Sequence, residues 1–268
     1  MTLQRRVLTS TILISLTGGV LFYGSPFAFG LLAFGYVSIA LFEFFTLLRA
    51  AKIPCYRLSG VGMGALLPLV VAVEQGATQS GEVLFIVIGC LFLFILQFST
   101  GKNEDALIGI ALTLFGILYI SWFLTFAVKM RYLEGGAVWV AYLLSVTKSG
   151  DIGAYVFGSL FGRHRMIPHV SPKKTVEGLF GGLALSLAVS LLFHPILPRA
   201  WSLTHLAILG VLLGIVGQIG DLSESLMKRF CQAKDSGAIL PGMGGVLDAV
   251  DSILFTAPIF YFHLAVYK

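Results

Sequence analysis

Apolar runs of nearly bilayer-crossing length follow one another along the chain, separated by short polar segments. They occupy residues 7–23, 27–48, 58–73, 83–98, 106–128, 137–161, 175–193, 203–219 and 250–267. Each approaches the roughly 20 residues a helix needs to cross a hydrocarbon core. None shows the period-two alternation of a membrane β-strand. The pattern predicts an all-α, polytopic integral membrane protein with about nine transmembrane helices. Residues 1–268 are expected to form a single membrane domain, with N-terminal spans (1–136) packed around a C-terminal half (137–268). Arg5 and Arg6 precede the first run, as in a signal peptide. No small-x-small cleavage site follows and the next run opens at Phe27, so the first run reads as an uncleaved span.

Composition agrees with the pattern. Of the 268 residues, 57% are hydrophobic and 12% charged, against about 25% charged in soluble domains. That excludes disorder, which needs low hydrophobicity. The net charge of +5 comes without any basic–aromatic module, so no nucleic-acid partner is expected. The cations read as topology signals instead. With the N-terminus inside, the cytoplasmic loops carry Arg5, Arg6, Arg49, Lys52, Arg57, Lys102, Arg163, Arg165, Lys173, Lys174, Lys228, Arg229 and Lys234. The opposite side carries Lys129, Arg131, Arg199 and Lys268, of which the first two run against the rule. Cys55, Cys90 and Cys231 match no metal motif and predict no disulfide. The five histidines show no metal-ligand spacing.

Charge against or inside a membrane is costly and tends to mark function. One charged stretch runs from Gly217 to Ser252 and brings Asp221, Glu224, Asp235, Asp248 and Asp251 together with Lys228, Arg229 and Lys234. A helix from Asp221 to about Ala233 places Asp221, Ser225 and Lys228 on one face and pairs Glu224 with Lys228 at i, i+4. The segment Leu-Pro-Gly-Met-Gly-Gly that begins at Leu240 breaks the helix, and its glycines let the backbone approach a ligand closely. A new helix opens near Val246, with Asp248, Asp251 and Ser252 in its first turns. Carboxylates there face the positive end of the helix dipole. They are also the donor type that holds magnesium together with substrate phosphates.

A second stretch runs from Thr147 to Gly178. On a helix Lys148, Asp151 and Tyr155 share a face. Lys148 and Asp151 either neutralise each other or place Asp151 near a metal or nucleotide. The following loop holds Arg163, Arg165, Lys173 and Lys174. Its Ser-Pro-Lys-Lys-Thr run reads as a helix start, with Ser171 as N-cap and Pro172 at the first helical position. Lysines beside a helix N-terminus suit a phosphate. Glu43, alone inside the second run, is expected to reach the interface toward Arg49.

The run S-L-M-K-R-x4-K-D-S-G-x2-L-P-G-x-G-G-x-L-D-x-x-D resembles the signature of the phosphatidate cytidylyltransferases (CDP-diacylglycerol synthases). The matching residues are Ser225, Lys228, Arg229, Lys234, Asp235, Gly237, Pro241, Gly244, Gly245, Asp248 and Asp251. Asp151, Gly153, Ala154, Tyr155 and Gly158, then Ser171, Pro172, Lys174, Thr175, Glu177 and Gly178, are similar to the same family. Met243 and Ala249 stand where the pattern commonly has His and Arg.

The resemblance implies transfer of a cytidylyl group from CTP to phosphatidic acid, with magnesium, alone or with a second cation, as cofactor. It implies Asp221 and Asp248 as metal ligands, with Lys228 and Asp251 beside them in the catalytic set. Asp151, Tyr155, Ser171, Lys173, Lys174, Ser225, Arg229, Lys234, Asp235, Gly244 and Gly245 become expected substrate-binding residues. CTP, phosphatidic acid and the bilayer are the implied partners, a homodimer rests on resemblance only, and the catalytic face is cytoplasmic at the inner membrane. A transporter, a catalytically silent relative and an enzyme for another lipid are the alternatives. A transporter would place its ionisable groups near the midplane, whereas most of these lie in loops and at helix ends.

Overall fold

The computed structural model of the protein describes residues 3–75, 80–100, 105–197 and 201–267. Among them nine helices follow the apolar runs. They are α1 (Leu3–Tyr23), α2 (Pro26–Ala50), α3 (Arg57–Val73), α4 (Ser80–Thr100) and α5 (Ala106–Arg131), then α6 (Gly136–Phe161), α7 (Val176–Leu192), α8 (Leu203–Phe230) and α9 (Val246–Val266). By length and composition α2, α4, α5, α8 and α9 can cross a membrane, and α1, α3 and α7 hold shorter apolar stretches. The protein is therefore a helical membrane protein. Lys102, Arg199 and Lys268 lie outside the described residues, as do the side chains of Arg5 and Arg6.

One element departs from an all-α expectation. β1 (Arg165–Ile167) and β2 (Ser171–Thr175) form an antiparallel hairpin, with Arg165 opposite Thr175 and Ile167 opposite Ser171. Ser171 is therefore not a helix cap, because strand pairing keeps the backbone extended as far as Thr175. Thr175 caps α7 instead: it is extended (φ −124°, ψ 155°) and its hydroxyl accepts the Gly178 N–H at 3.1 Å.

The chain forms two compact units. The first comprises Met1–Tyr132 with Cys231–Ala249, the second Leu133–Phe230 with Val250–Lys268. The segment between α8 and α9 thus belongs with the N-terminal helices, and α9 itself is divided after its first turn.

In the first unit α2 and α3 meet through small residues. A Cβ on Gly60 would stand 2.5 Å from the Phe45 ring, and one on Gly64 2.4 Å from Leu41. Such close approach is how apolar helices associate in lipid. Val37, Leu41, Phe44, Phe45, Leu67 and Ile120 fill the buried face. α5 contains a π-helical turn, Ile117–Trp122, whose Ser121 hydroxyl donates to the Gly64 carbonyl. Beyond it Lys129 pairs with Glu82 at 2.8 Å, both side chains 2% exposed, and Trp122 Nε1 donates to the same carboxylate at 3.1 Å. Arg131 donates to the Gly24 carbonyl at 3.1 Å. The two cations that run against the charge bias are thus bonded within the unit.

In the second unit α6 and α7 are in close contact. A Cβ on Gly150 would stand 2.6 Å from Ser186 Oγ, and one on Gly153 2.6 Å from the Gly181 carbonyl. Hydroxyls join the helices: Ser186 donates to the Val146 carbonyl at 3.0 Å and Ser190 to the Leu206 carbonyl at 2.7 Å. Trp139, Tyr142, Leu143, Phe260 and Leu264 make the buried core. Outward faces of both units carry large exposed aliphatic side chains, among them Leu84, Val87 and Leu91 on α4 and Ile208, Ile215 and Ile219 on α8.

Candidate active site

The second unit gathers Lys148 and Asp151 from α6, Lys174 from β2, Asp221 and Ser225 from α8, and Asp251 and Ser252 from α9. Lys148 Nζ lies 2.9 Å from Asp151 Oδ2, 2.8 Å from Ser252 Oγ and 4.0 Å from Asp251 Oδ1. Ser252 Oγ donates in turn to Asp151 Oδ2 at 2.8 Å, and the Ser252 N–H donates to Asp251 Oδ1 at 2.6 Å. Lys148 and Asp151 therefore neutralise each other, with the Asp251 carboxylate at the limit of ion-pair distance from the same ammonium. The arrangement depends on Gly220: a Cβ there would stand 2.6 Å from the Asp251 carbonyl oxygen.

Asp221 is held from two sides. Lys174 Nζ lies 2.8 Å from its Oδ2, and Ser225 donates to its Oδ1 at 3.4 Å. A strand turns successive side chains to opposite faces, so Lys174 reaches inward while Lys173 is exposed. Lys228 pairs with Glu224 one turn back on α8, and Glu224 is buried. Arg229 Nε donates to the Val170 carbonyl at 3.3 Å, fastening the end of α8 to the hairpin. At the hairpin's base Glu177 accepts the backbone N–H groups of Arg163 and His164 and lies 2.6 Å from His164 Nδ1. Ser171 is half-buried in β2, and Tyr155 is exposed on α6.

The first unit holds the remaining signature residues. Asp248 Oδ2 accepts three hydrogen bonds, from Ser236 N at 2.9 Å, Ser236 Oγ at 2.7 Å and Gly245 N at 2.7 Å. Leu240 and Gly244 exchange backbone bonds at 2.9 and 3.1 Å, closing the glycine-rich segment into a tight turn. Gly242 (φ 85°) and Gly244 (φ 99°) occupy left-handed conformations that favour glycine. A Cβ on Gly244 would also meet Asp248 Oδ2 at 2.6 Å. α1 touches this turn: Thr9 donates to the Pro241 carbonyl at 2.9 Å, and Ser10 to Met243 Sδ at 3.4 Å. Lys234 and Asp235 are exposed beside it.

Glu43 does not reach toward Arg49. It is 3% exposed, and its carboxylate accepts the Val246 N–H at 3.1 Å and the Leu247 N–H at 2.9 Å. These backbone donors at the start of α9 give the acid a partner inside the unit, so it has no need of the interface. Glu43 and Ser236 are the site residues that sequence reasoning missed. A lone acid in an apolar run was the available signal.

Among the described residues no three His, Cys, Asp or Glu side chains are grouped so as to hold a metal ion. The carboxylates of Asp151, Asp221 and Asp251 in the second unit are of the donor type that magnesium takes one or two at a time, its shell completed by substrate phosphates and water.

Known proteins are similar to this chain over most of its length. A model of the cytidylyltransferase family matches residues 4–267. The phosphatidate cytidylyltransferase of Bacillus subtilis (strain 168) is 34% identical over 251 residues, 91% of this chain and 90% of that protein. The phosphatidate cytidylyltransferase of Brucella suis biovar 1 (strain 1330) is 34% identical over 278 residues, 99% of this chain and 94% of that protein. The uncharacterized protein YnbB of Escherichia coli (strain K12) is 41% identical over 156 residues, 58% of this chain and 51% of that protein. On the length of these matches, the chain belongs to the cytidylyltransferase family.

Proposed function

We propose that the protein transfers the cytidylyl group of CTP to phosphatidic acid, giving CDP-diacylglycerol and pyrophosphate for phospholipid biosynthesis. The observation that carries this reading is the alignment with proteins named phosphatidate cytidylyltransferase over nearly the full length of both chains.

A phosphate oxygen of phosphatidic acid attacks the α-phosphorus of CTP in line. The new P–O bond forms as the bond to pyrophosphate breaks. That oxygen is already ionised, so no general base is needed, and catalysis is a matter of positioning and charge. Lys174 exchanges its bond with Asp221 for a nucleotide phosphate. Lys173, Lys228, Arg229 and Lys234 supply further positive charge to CTP and the lipid phosphate. Tyr155, Ser171, Ser225, Asp235, Gly244 and Gly245 complete the substrate contacts. Lys148 and Ser252 keep Asp151 and Asp251 in place. Asp221 and Asp248 would hold magnesium, which would supply positive charge to offset that of the substrate phosphates.

We further infer nine spans in the cell inner (plasma) membrane, the N-terminus and both signature stretches on the cytoplasmic side, and a homodimeric assembly without a nucleic-acid partner. The excess of Lys and Arg in the loops on the side of the N-terminus supports this orientation.

The test uses purified protein in detergent with CTP, magnesium and a panel of acceptors: phosphatidic acid, diacylglycerol and an isoprenyl phosphate. Cytidine should pass into the organic phase with phosphatidic acid alone. Transfer to the isoprenyl phosphate instead would replace the acceptor named here.

A further inference from the structure

Glu43 lies in an apolar helix far from either signature stretch in sequence, and the first turn of α9 accounts for it. The opening N–H groups of a helix have no partner within it. Here each finds one. Gly245 N–H donates to Asp248 Oδ2, Val246 N–H to Glu43 Oε1, Leu247 N–H to Glu43 Oε2, and Asp248 N–H to Ser236 Oγ at 3.3 Å. Helices are commonly capped by a Ser, Thr, Asp or Asn next to them in sequence. This one takes two of its acceptors from a side chain 203 and 204 residues away.

The surroundings are shaped to admit that carboxylate. A Cβ on Gly237 would stand 2.3 Å from Glu43 Oε1, and one on Gly245 2.4 Å from Oε2. The Ser236 hydroxyl lies between two acids, 2.7 Å from Asp248 Oδ2 and 3.4 Å from Glu43 Oε2. Burying a carboxylate is costly unless hydrogen bonds replace its water. These bonds replace it, and they also hold the turn that carries Asp248.

We propose that Glu43 is a positioning residue for cytidylyl transfer: it clamps the first turn of α9 and Ser236 so that the Asp248 carboxylate is presented in one orientation. The proposal rests on the function inferred above. It also means that protein acceptors already occupy the α9 N-terminus, which leaves the substrate phosphates to the cationic side chains.

Glu43→Gln keeps the side chain's shape but turns one acceptor into a donor. The variant and the wild type are compared in detergent by steady-state kinetics and by hydrogen exchange read by mass spectrometry. We expect kcat to fall about tenfold to a hundredfold, the scale of a small misplacement at a reacting centre. The KM for CTP should stay within about threefold, since the clamp touches no substrate. Exchange should accelerate over residues 236–249 and not elsewhere. Ser236→Ala, which leaves both backbone bonds of Glu43 intact, should lower kcat with a smaller change in exchange.

A kcat within about twofold of wild type beside accelerated exchange would overturn the proposal, because Glu43 would then fasten the fold alone. If Glu43→Gln does not fold, Ser236→Ala decides, and an unchanged kcat overturns the proposal. If wild type transfers cytidine to no lipid, the function reading has failed. Exchange then tests the clamp by itself, and unaltered exchange over 236–249 in Glu43→Gln overturns it.

Discussion

Asp248 and Asp221 are held in different ways, and their substitutions should differ accordingly. Asp248 Oδ2 takes three protein donors. Asp248→Asn should therefore disturb the turn as well as remove charge, cutting pyrophosphate release by at least about a hundredfold. Asp221 is paired with Lys174, whose ammonium is the one expected to move to the nucleotide. Lys174→Ala should raise the KM for CTP about tenfold, the worth of one charge-assisted hydrogen bond, with a smaller effect on phosphatidic acid. Steady-state kinetics against each substrate checks both. The aspartates and lysines were legible because their fixed spacings form a long signature. The roles of Glu43 and Ser236 were not, since one acid in an apolar run carries no sign of a backbone partner some 200 residues later.

Among the elements, α8 and α9 meet at Gly220, where a methyl group would collide with backbone rather than with a side chain that can turn away. Gly220→Ala should separate Asp221 from Asp251, abolish most turnover and lower stability by about 1–3 kcal/mol, as overpacking does. Thermal unfolding in detergent with a parallel assay measures both effects. The ion pair of α4 and α5 gives a different expectation. Lys129→Met leaves Glu82 charged and buried, which should cost about 3–5 kcal/mol, and a second change, Glu82→Leu, should recover much of it. An additive loss in the double variant would count against that pairing. The helices were legible from apolar run length alone, with α8 and α9 reaching further into the charged stretch than hydropathy shows. The hairpin was not legible. A three-residue strand has too few positions to display a period, and Ser-Pro-Lys-Lys-Thr satisfies the local rules for a helix start. Pairing with Arg165–Ile167 made it a strand and passed the cap to Thr175.

For the molecule as a whole, orientation in the membrane can be measured apart from chemistry. His169 in the hairpin and Glu134 between α5 and α6 are both exposed. Burial pushes the native Cys55 and Cys231 thiols up, so they react slowly at neutral pH. Introduced thiols should then report topology. In intact cells an impermeant maleimide should label Glu134→Cys readily and His169→Cys only after the membrane is opened; the reverse order would invert the proposed topology. The most direct test of the whole account is pyrophosphate release from CTP by the purified protein, with phosphatidic acid and magnesium supplied or withheld, beside Asp248→Ala shown to be folded. Release should need CTP, phosphatidic acid and magnesium together and be lost in the variant. Release without lipid, or near-normal release by Asp248→Ala, would contradict it.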